Sequence, residues 1–492
     1  MTETAKKKRG MPSSFTILLA LLAIVAVITV IVSGTSGGEV TAARLSDFCT
    51  APVKDFADAL PVCLFVMILG GFLGMMTETG ALDNGIAVLV QKLKGNEIML
   101  VPVLMLIFSL GGTTYGMCEE TVPFYALLAA TMMAAGFDPM VGAATVLLGA
   151  GCGCLGSTVN PFAVGAAVDA LTGVDIAVNQ SIIIGLGGVL WLVTTVMSIV
   201  FVMNYAKKVK ADKGSTILSM QELEDAEAAH GKAASEVNKE VKLTGRQKGV
   251  LIAFAFTFVV MIVGFIPLAD LNEGVANFFD AGAVYDADGN AVVQGWSALI
   301  TGLPIGQWYF DEASTWFFLM AILIGIIGGL SEKQIVNTFI TGAADMMSVV
   351  LVIALARGIS VLMASTGLDV YVLDAAANAL AGLSGVIFAP MSFLVYFGLS
   401  FLIPSTSGMA TVSMPIMGPL AVKLGFSPEV MVMIFSAAIG VVNLFTPTSG
   451  AIMGGLALAK IEWTTWLKFA LKLIVALSVV CAVILTIACV ML

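Results

Sequence analysis

Histidine is nearly absent: the 492-residue chain has one, His230, in a polar stretch. A histidine-based metal cluster or a Ser-His-Asp triad inside a membrane therefore has no material. Charge is scarce as well, at 11% of residues, and the net charge of −10 offers no basic surface for a nucleic acid. The seven cysteines lie mostly isolated in apolar runs. Cys152 and Cys154 are separated by one residue, which fits neither a redox nor a zinc CxxC pattern and reads as helix packing. The polar segments contain no phosphate-binding loop, dinucleotide-binding glycine fingerprint or nucleophile elbow. These absences point away from an enzyme, a cofactor and an ATP-driven engine.

What the chain has instead is apolar residues, 59% of the total, with a mean hydropathy of +1.01. A soluble protein of this length could not bury that much apolar surface, whereas a bilayer removes the need. The sequence predicts an all-α polytopic membrane protein. A basic N-terminus over 1–13, with Lys6, Lys7, Lys8 and Arg9, precedes an apolar run from Ser14 to Val32, read as a retained first helix. By the positive-inside rule the N-terminus is expected in the cytoplasm, and with no organelle-targeting segment evident the expected location is the inner membrane of a prokaryotic cell. A first membrane repeat is expected over 14–204, with a re-entrant hairpin at about 98–135 and a broken helix at 139–170. A polar cytoplasmic linker follows over 205–246, with a surface helix from Gln221 to His230. A linking helix and acidic external loop occupy 247–312. A second repeat covers 313–492, with its hairpin at about 386–424 and broken helix at 429–458.

Self-similarity between the halves is the strongest signal. Thr113-Thr114-Tyr115-Gly116-Met117 resembles Ser405-Thr406-Ser407-Gly408-Met409, and each is followed at the same spacing by a proline, Pro123 or Pro415. Gly136-Phe137-Asp138-Pro139 matches Gly425-Phe426-Ser427-Pro428. A long apolar stretch follows each, interrupted by Gly156-Ser157-Thr158-Val159-Asn160-Pro161 and by Phe445-Thr446-Pro447-Thr448-Ser449-Gly450. Upstream, Thr79-Gly80 matches Thr366-Gly367. In the charge-derived topology the two copies enter from opposite sides, which makes the repeat inverted. Unwound backbone survives in a membrane only inside protein or beside water. One such break reads as a kink whose hydroxyls bond back to the helix, but four paired breaks favour a binding site. Freed carbonyls with Ser, Thr and Asn side chains can coordinate Na⁺, and half-helix ends can hold a carboxylate.

Three charged residues within apolar segments stand out, Glu119, Glu120 and Arg357. Glu119 and Glu120 follow the first hairpin tip, where an acid costs at least ~2.5 kcal/mol on insertion scales. The matching second-half residues are Thr411 and Val412, so the hairpin itself does not require acids. The pair is expected to meet a cation: an amino or guanidinium group, a proton, or Na⁺. Arg357 lies in a predicted span over 347–365. It either holds a substrate carboxylate bidentately or pairs with Glu119 or Glu120.

The tracts Gly111 to Glu120 and Leu402 to Ala410, with Gly151 to Pro161 and Asn443 to Gly450, resemble those of YfcC/DcuC-type carriers of the ion transporter superfamily. The resemblance covers most of the chain outside the terminus, linker and external loop. It implies a dimerising scaffold domain and a mobile, elevator-type transport domain. It also implies substrate or Na⁺ binding at Thr113, Thr114, Ser157, Thr158 and Asn160, and at Ser405, Thr406, Ser407, Thr446, Thr448 and Ser449. Tyr115, Glu119, Glu120 and Arg357 complete the candidate substrate set, and Ser157, Thr158, Asn160, Thr446 and Thr448 are the candidate Na⁺ ligands. No cofactor is expected, and the resemblance admits coupling to Na⁺ or H⁺. Relatives divide between C4-dicarboxylate carriers and arginine/ornithine exchangers. At an assumed ~6 Å and effective dielectric of ~20, each contact between a dicarboxylate and an ionised glutamate costs roughly 3 kcal/mol. That favours a basic amino-acid antiporter or amino-acid/peptide carrier. The alternative is a Na⁺- or H⁺-coupled C4-dicarboxylate carrier, and an ion channel ranks below both. The expected partners are a small charged solute, the bilayer and a second copy of the chain.

Overall fold

The computed structural model describes residues 14–492 except 83, 86–87, 89–95, 119–120, 237–241, 267, 272, 287–290 and 404. The chain is mostly helical, and among the described residues eight helical stretches are long and apolar enough to cross a membrane. The sole strands there are a two-stranded antiparallel ladder, Val284–Tyr285 with Ala291–Val293, in the loop preceding Phe310.

One group of helices packs around α2 (Leu45–Glu78): α1 (Ser14–Ser33), α9 (Gly245–Phe265), α10 (Phe310–Gly328), α11 (Glu332–Asp345) and α12 (Met347–Thr366). Phe72 and Phe317 join α2 to α10 with ring centroids 4.9 Å apart. The amphipathic α11 was not foreseen as an element. Glu332, Lys333 and Asp345 at its ends mask its apolar face against α2.

The second group carries the paired features. α3 (Leu100–Tyr115) turns into α4 (Val122–Ala134), and α5 (Pro139–Leu155) breaks before a π-helical turn (Pro161–Gly165) and α6 (Ala166–Thr172). After the short α13 (Leu368–Leu380), α14 (Gly385–Leu402) turns into α15 (Thr406–Lys423). Then α16 (Pro428–Val442) breaks before α17 (Gly450–Leu458), and α18 (Trp463–Met491) ends the chain. α5 and α16 form the centre: nearly every residue of both is buried. They cross where Gly440 meets Leu155, so closely that a methyl on Gly440 would overlap the Leu155 backbone.

Both central helices begin with a buried acid that grips α7 (Gln180–Ala211). Asp138 caps α5 by accepting from Val141 N (3.1 Å), and it also accepts from the Tyr205 (2.6 Å) and Thr216 (2.7 Å) hydroxyls. Burial pushes the Asp138 carboxyl above its ordinary range, against the opposing pull of those donors. Glu429 accepts from Asn179 N at the other end of α7 (2.7 Å) and bonds the Ser427 hydroxyl.

The helix expected over 221–230 is longer, α8 (Met220–Glu236), and it is docked rather than free. It packs on α4, and Glu222 accepts from Glu462 N (2.9 Å) while His230 Nε2 meets the Leu458 carbonyl (3.1 Å). Leu218 and Ala226 supply buried apolar anchors that a reading of the polar residues alone misses.

Candidate functional site

All four chain interruptions meet at one cavity of about 200 Å³. The α3–α4 turn contributes Gly116, Met117, Cys118 and Thr121, and the α5–α6 break contributes Asn160 and Phe162. The α14–α15 turn contributes Ser405, Thr406 and Ser407, and the α16–α17 break contributes Asn443, Thr448 and Ser449. Tyr125, Val62, Phe310 and Ile353 add aromatic and aliphatic wall. Gly116 can end α3 because it sits at φ +80°, and a side chain there would strike the Asn160 amide.

The first-half polar groups are occupied by the protein itself. Thr113 Oγ1 donates to the Gly156 carbonyl (2.6 Å), and Thr158 returns N–H and hydroxyl bonds to the Thr113 carbonyl (2.9 and 3.0 Å). Thr114 donates to Leu110 O, Ser157 to Cys154 O (both 2.6 Å) and Thr121 to Cys118 O (2.5 Å). Asn160 Nδ2 donates to Ser157 Oγ (2.9 Å), while Oδ1 accepts from Phe162 N (2.9 Å) and Ala163 N (3.3 Å). Asn160 thus caps the π-helical turn with both oxygen lone pairs, which leaves that oxygen nothing for Na⁺. The hydroxyl oxygens of Ser157 and Thr158 keep lone pairs but do not line the cavity.

The second half is built differently. Ser405 caps α15 by accepting from Gly408 N (3.2 Å), and the Thr446 and Thr448 hydroxyls bond each other (2.7 Å). Carbonyls freed by the α16–α17 break are taken by two indoles: Trp463 Nε1 donates to Phe445 O (2.7 Å) and Trp466 Nε1 to Leu444 O (2.9 Å). Two helices, α15 and α17, start at the cavity wall with Ser405 and Ser449 at their caps.

Of the residues singled out from sequence, Asn160, Ser405, Thr406, Ser407, Thr448 and Ser449 come together around the cavity. Thr113, Thr114, Ser157, Thr158 and Thr446 are not among its lining residues. Glu119 and Glu120 fall outside the described residues, between the lining residues Cys118 and Thr121. The Tyr115 and Arg357 side chains also fall outside them. Ile353, one helical turn before Arg357 on α12, lines the cavity. Sequence reasoning missed Asn443, Ser436 and Tyr125. An amide inside the apolar run Ile439 to Phe445 was the available signal for the first. Among the described residues, no three His, Cys, Asp or Glu side chains are placed to hold a metal.

The description of the DcuC family, C4-dicarboxylate anaerobic carriers, matches residues 38–490. The chain belongs to this family. The family match makes it a multi-pass membrane transporter, and every cavity residue lies inside the matched region. An uncharacterized protein of Haemophilus influenzae is 29% identical over 443 residues, covering 90% of this chain and 78% of that one. The "putative basic amino acid antiporter YfcC" of Escherichia coli K12 is 27% identical over 440 residues, covering 87% and 77%. Two solved transporters align along almost the whole chain. Neisseria gonorrhoeae MtrF, described among antimetabolite efflux pumps, aligns with TM-score 0.43 and 17% identity, covering 98% of this chain and 96% of its own. Alcanivorax borkumensis YdaH aligns with TM-score 0.45 and 15% identity, covering 97% and 98%.

Proposed function

We propose that this family member is a secondary active antiporter of basic amino acids of the arginine/ornithine type. The observation that carries the reading is one cavity bounded by both helix turns and both helix breaks. An alternating-access carrier needs a single central site that each face of the membrane can reach in turn. The helix turns are read as re-entrant hairpins, and the two halves as inverted repeats. The α2 group is read as a dimerising scaffold beside which the cavity-bearing helices move as an elevator. The N-terminus lies in the cytoplasm of a cell with this chain in its inner membrane.

Two features support the cationic substrate. Glu119 and Glu120 sit in sequence between two lining residues, Cys118 and Thr121, where they would meet a guanidinium or ammonium. The YfcC relative carries a basic amino-acid name. The starts of α15 and α17, with their partial positive charge, suit the substrate carboxylate. The family description favours a second reading, a C4-dicarboxylate carrier coupled to Na⁺ or H⁺.

Proteoliposomes preloaded with ornithine separate the two. Labelled arginine should enter, with or without a Na⁺ gradient, and Glu119→Gln should abolish exchange. Succinate uptake without arginine movement would overturn the amino-acid reading in favour of the dicarboxylate one.

A further inference from the structure

The cavity is lined by two turns and two breaks, yet its polar side chains are unequally committed. On the first-half side, Asn160 donates one amide N–H to Ser157 and accepts from Phe162 N and Ala163 N, and Thr121 donates to Cys118 O. On the second-half side, the side chains of Thr406, Ser407, Asn443 and Ser449 line the same space and form no hydrogen bond with the described protein. Asn443 ends α16 through its backbone N–H to Ile439 O (2.8 Å), which leaves the whole carboxamide unspent.

An amide and three hydroxyls left unpaired within a membrane protein's interior need water or a ligand. We infer that the carrier reads its substrate's head group from one side: Thr406, Ser407, Asn443 and Ser449 form the polar surface that recognises it, and the described polar side chains of the first-half turn and break, bonded within the protein, form the facing wall. This rests on the transport reading above and deepens it. Hydroxyls and amides both donate and accept, so this cluster suits a head group carrying a carboxylate and an ammonium together. A dicarboxylate would use the donors alone. The basic tail of an amino acid then extends toward the opposite turn, where Glu119 and Glu120 follow Cys118 in sequence.

The test is equilibrium binding to purified full-length protein in detergent, using arginine, agmatine (arginine without its carboxylate) and succinate. Wild-type protein should bind arginine. Asn443→Ala and Ser407→Ala should each weaken arginine about tenfold or more, the loss of a hydrogen bond to a charged group. Each should change agmatine much less. Thr121→Val, at the wall but with a committed hydroxyl, should change arginine less than about twofold. Thermal unfolding of each variant checks that it folds, and Asn443→Gln serves where Asn443→Ala does not. Equal losses at Thr121 and Asn443, or arginine binding untouched by Asn443→Ala and Ser407→Ala, would overturn the inference. Succinate binding without arginine binding would overturn the amino-acid reading instead. Loss of succinate at Asn443 and Ser407 but not Thr121 would then sustain one-sided recognition for a different solute. A wild-type protein that binds none of the three would remove both.

Discussion

Asn160 borders the cavity and its oxygen caps the π-helical turn, and replacing it separates a capping role from a ligand role. Asn160→Ala removes one donor and one doubly used acceptor, so Phe162 N and Ala163 N at the start of the π-helical turn lose their partner. A lost helix cap costs about 1 kcal/mol, and an orphaned buried donor costs about 1–3 kcal/mol. Together they destabilise the protein by about 2–4 kcal/mol. At about 2 °C per kcal/mol, the lower end of the scaling for larger domains, the melting temperature falls by about 4–8 °C. Asn160→Asp keeps the acceptor and should recover most of that loss, because the two N–H groups are still satisfied. The assay is tryptophan-monitored thermal unfolding in detergent, run without substrate, beside arginine exchange in proteoliposomes. A ligand role predicts the reverse pattern: unchanged melting without substrate, and a raised KM. An Asn160→Ala protein that melts like wild type would refute the capping argument.

Three further outcomes follow from the packing. Gly440→Val should prevent correct assembly, seen as aggregation on size-exclusion chromatography, because its side chain would overlap the Leu155 backbone where α5 and α16 cross. Burial, with a further push from Lys460, holds the His230 imidazole below its ordinary value, although the Leu458 carbonyl pulls it up. The unfolded chain therefore binds the extra proton between the folded value and about 6.5, so stability is full above pH ~6.5 and falls as pH drops below it. Melting curves across that window should lose part of this slope in His230→Asn. The Lys210–Glu97 pair is close (2.6 Å), but the Lys210 side chain is 39% exposed, so Lys210→Met should shift stability by less than about 1 kcal/mol.

The helix ends around the cavity were legible because they rest on backbone chemistry that residue types reveal. Gly116 at positive φ, Gly156 after α5 and the Thr446-Pro447-Thr448 tract all stand where helices end. The commitment of each hydroxyl was not legible. Thr113 and Ser405 occupy matching places in the two motifs. One bonds across to Gly156, 43 residues away, and the other caps its own helix. That difference is tertiary, and no local pattern encodes it. Trp463 and Trp466 show the same limit: their donors serve carbonyls 18 and 22 residues earlier in the chain. The apolar anchoring of α8 was hidden because its charges dominate its composition, while only a few of its apolar residues are turned inward, with Ala226 buried and Leu223 packed against the core.

The docking of α8 sets a length. Because α8 is fastened to α4 and to the Leu458 and Glu462 backbone, the connection between the halves is not the whole polar stretch. It is the chain between Glu236 and the start of α9 at Gly245. Nine peptide steps reach at most about 30 Å when fully drawn out. The connector therefore bounds how far the end of α8 and the start of α9 can stand apart, whatever motion transport requires. Shortening it residue by residue would lower that bound by about 3.5 Å each time.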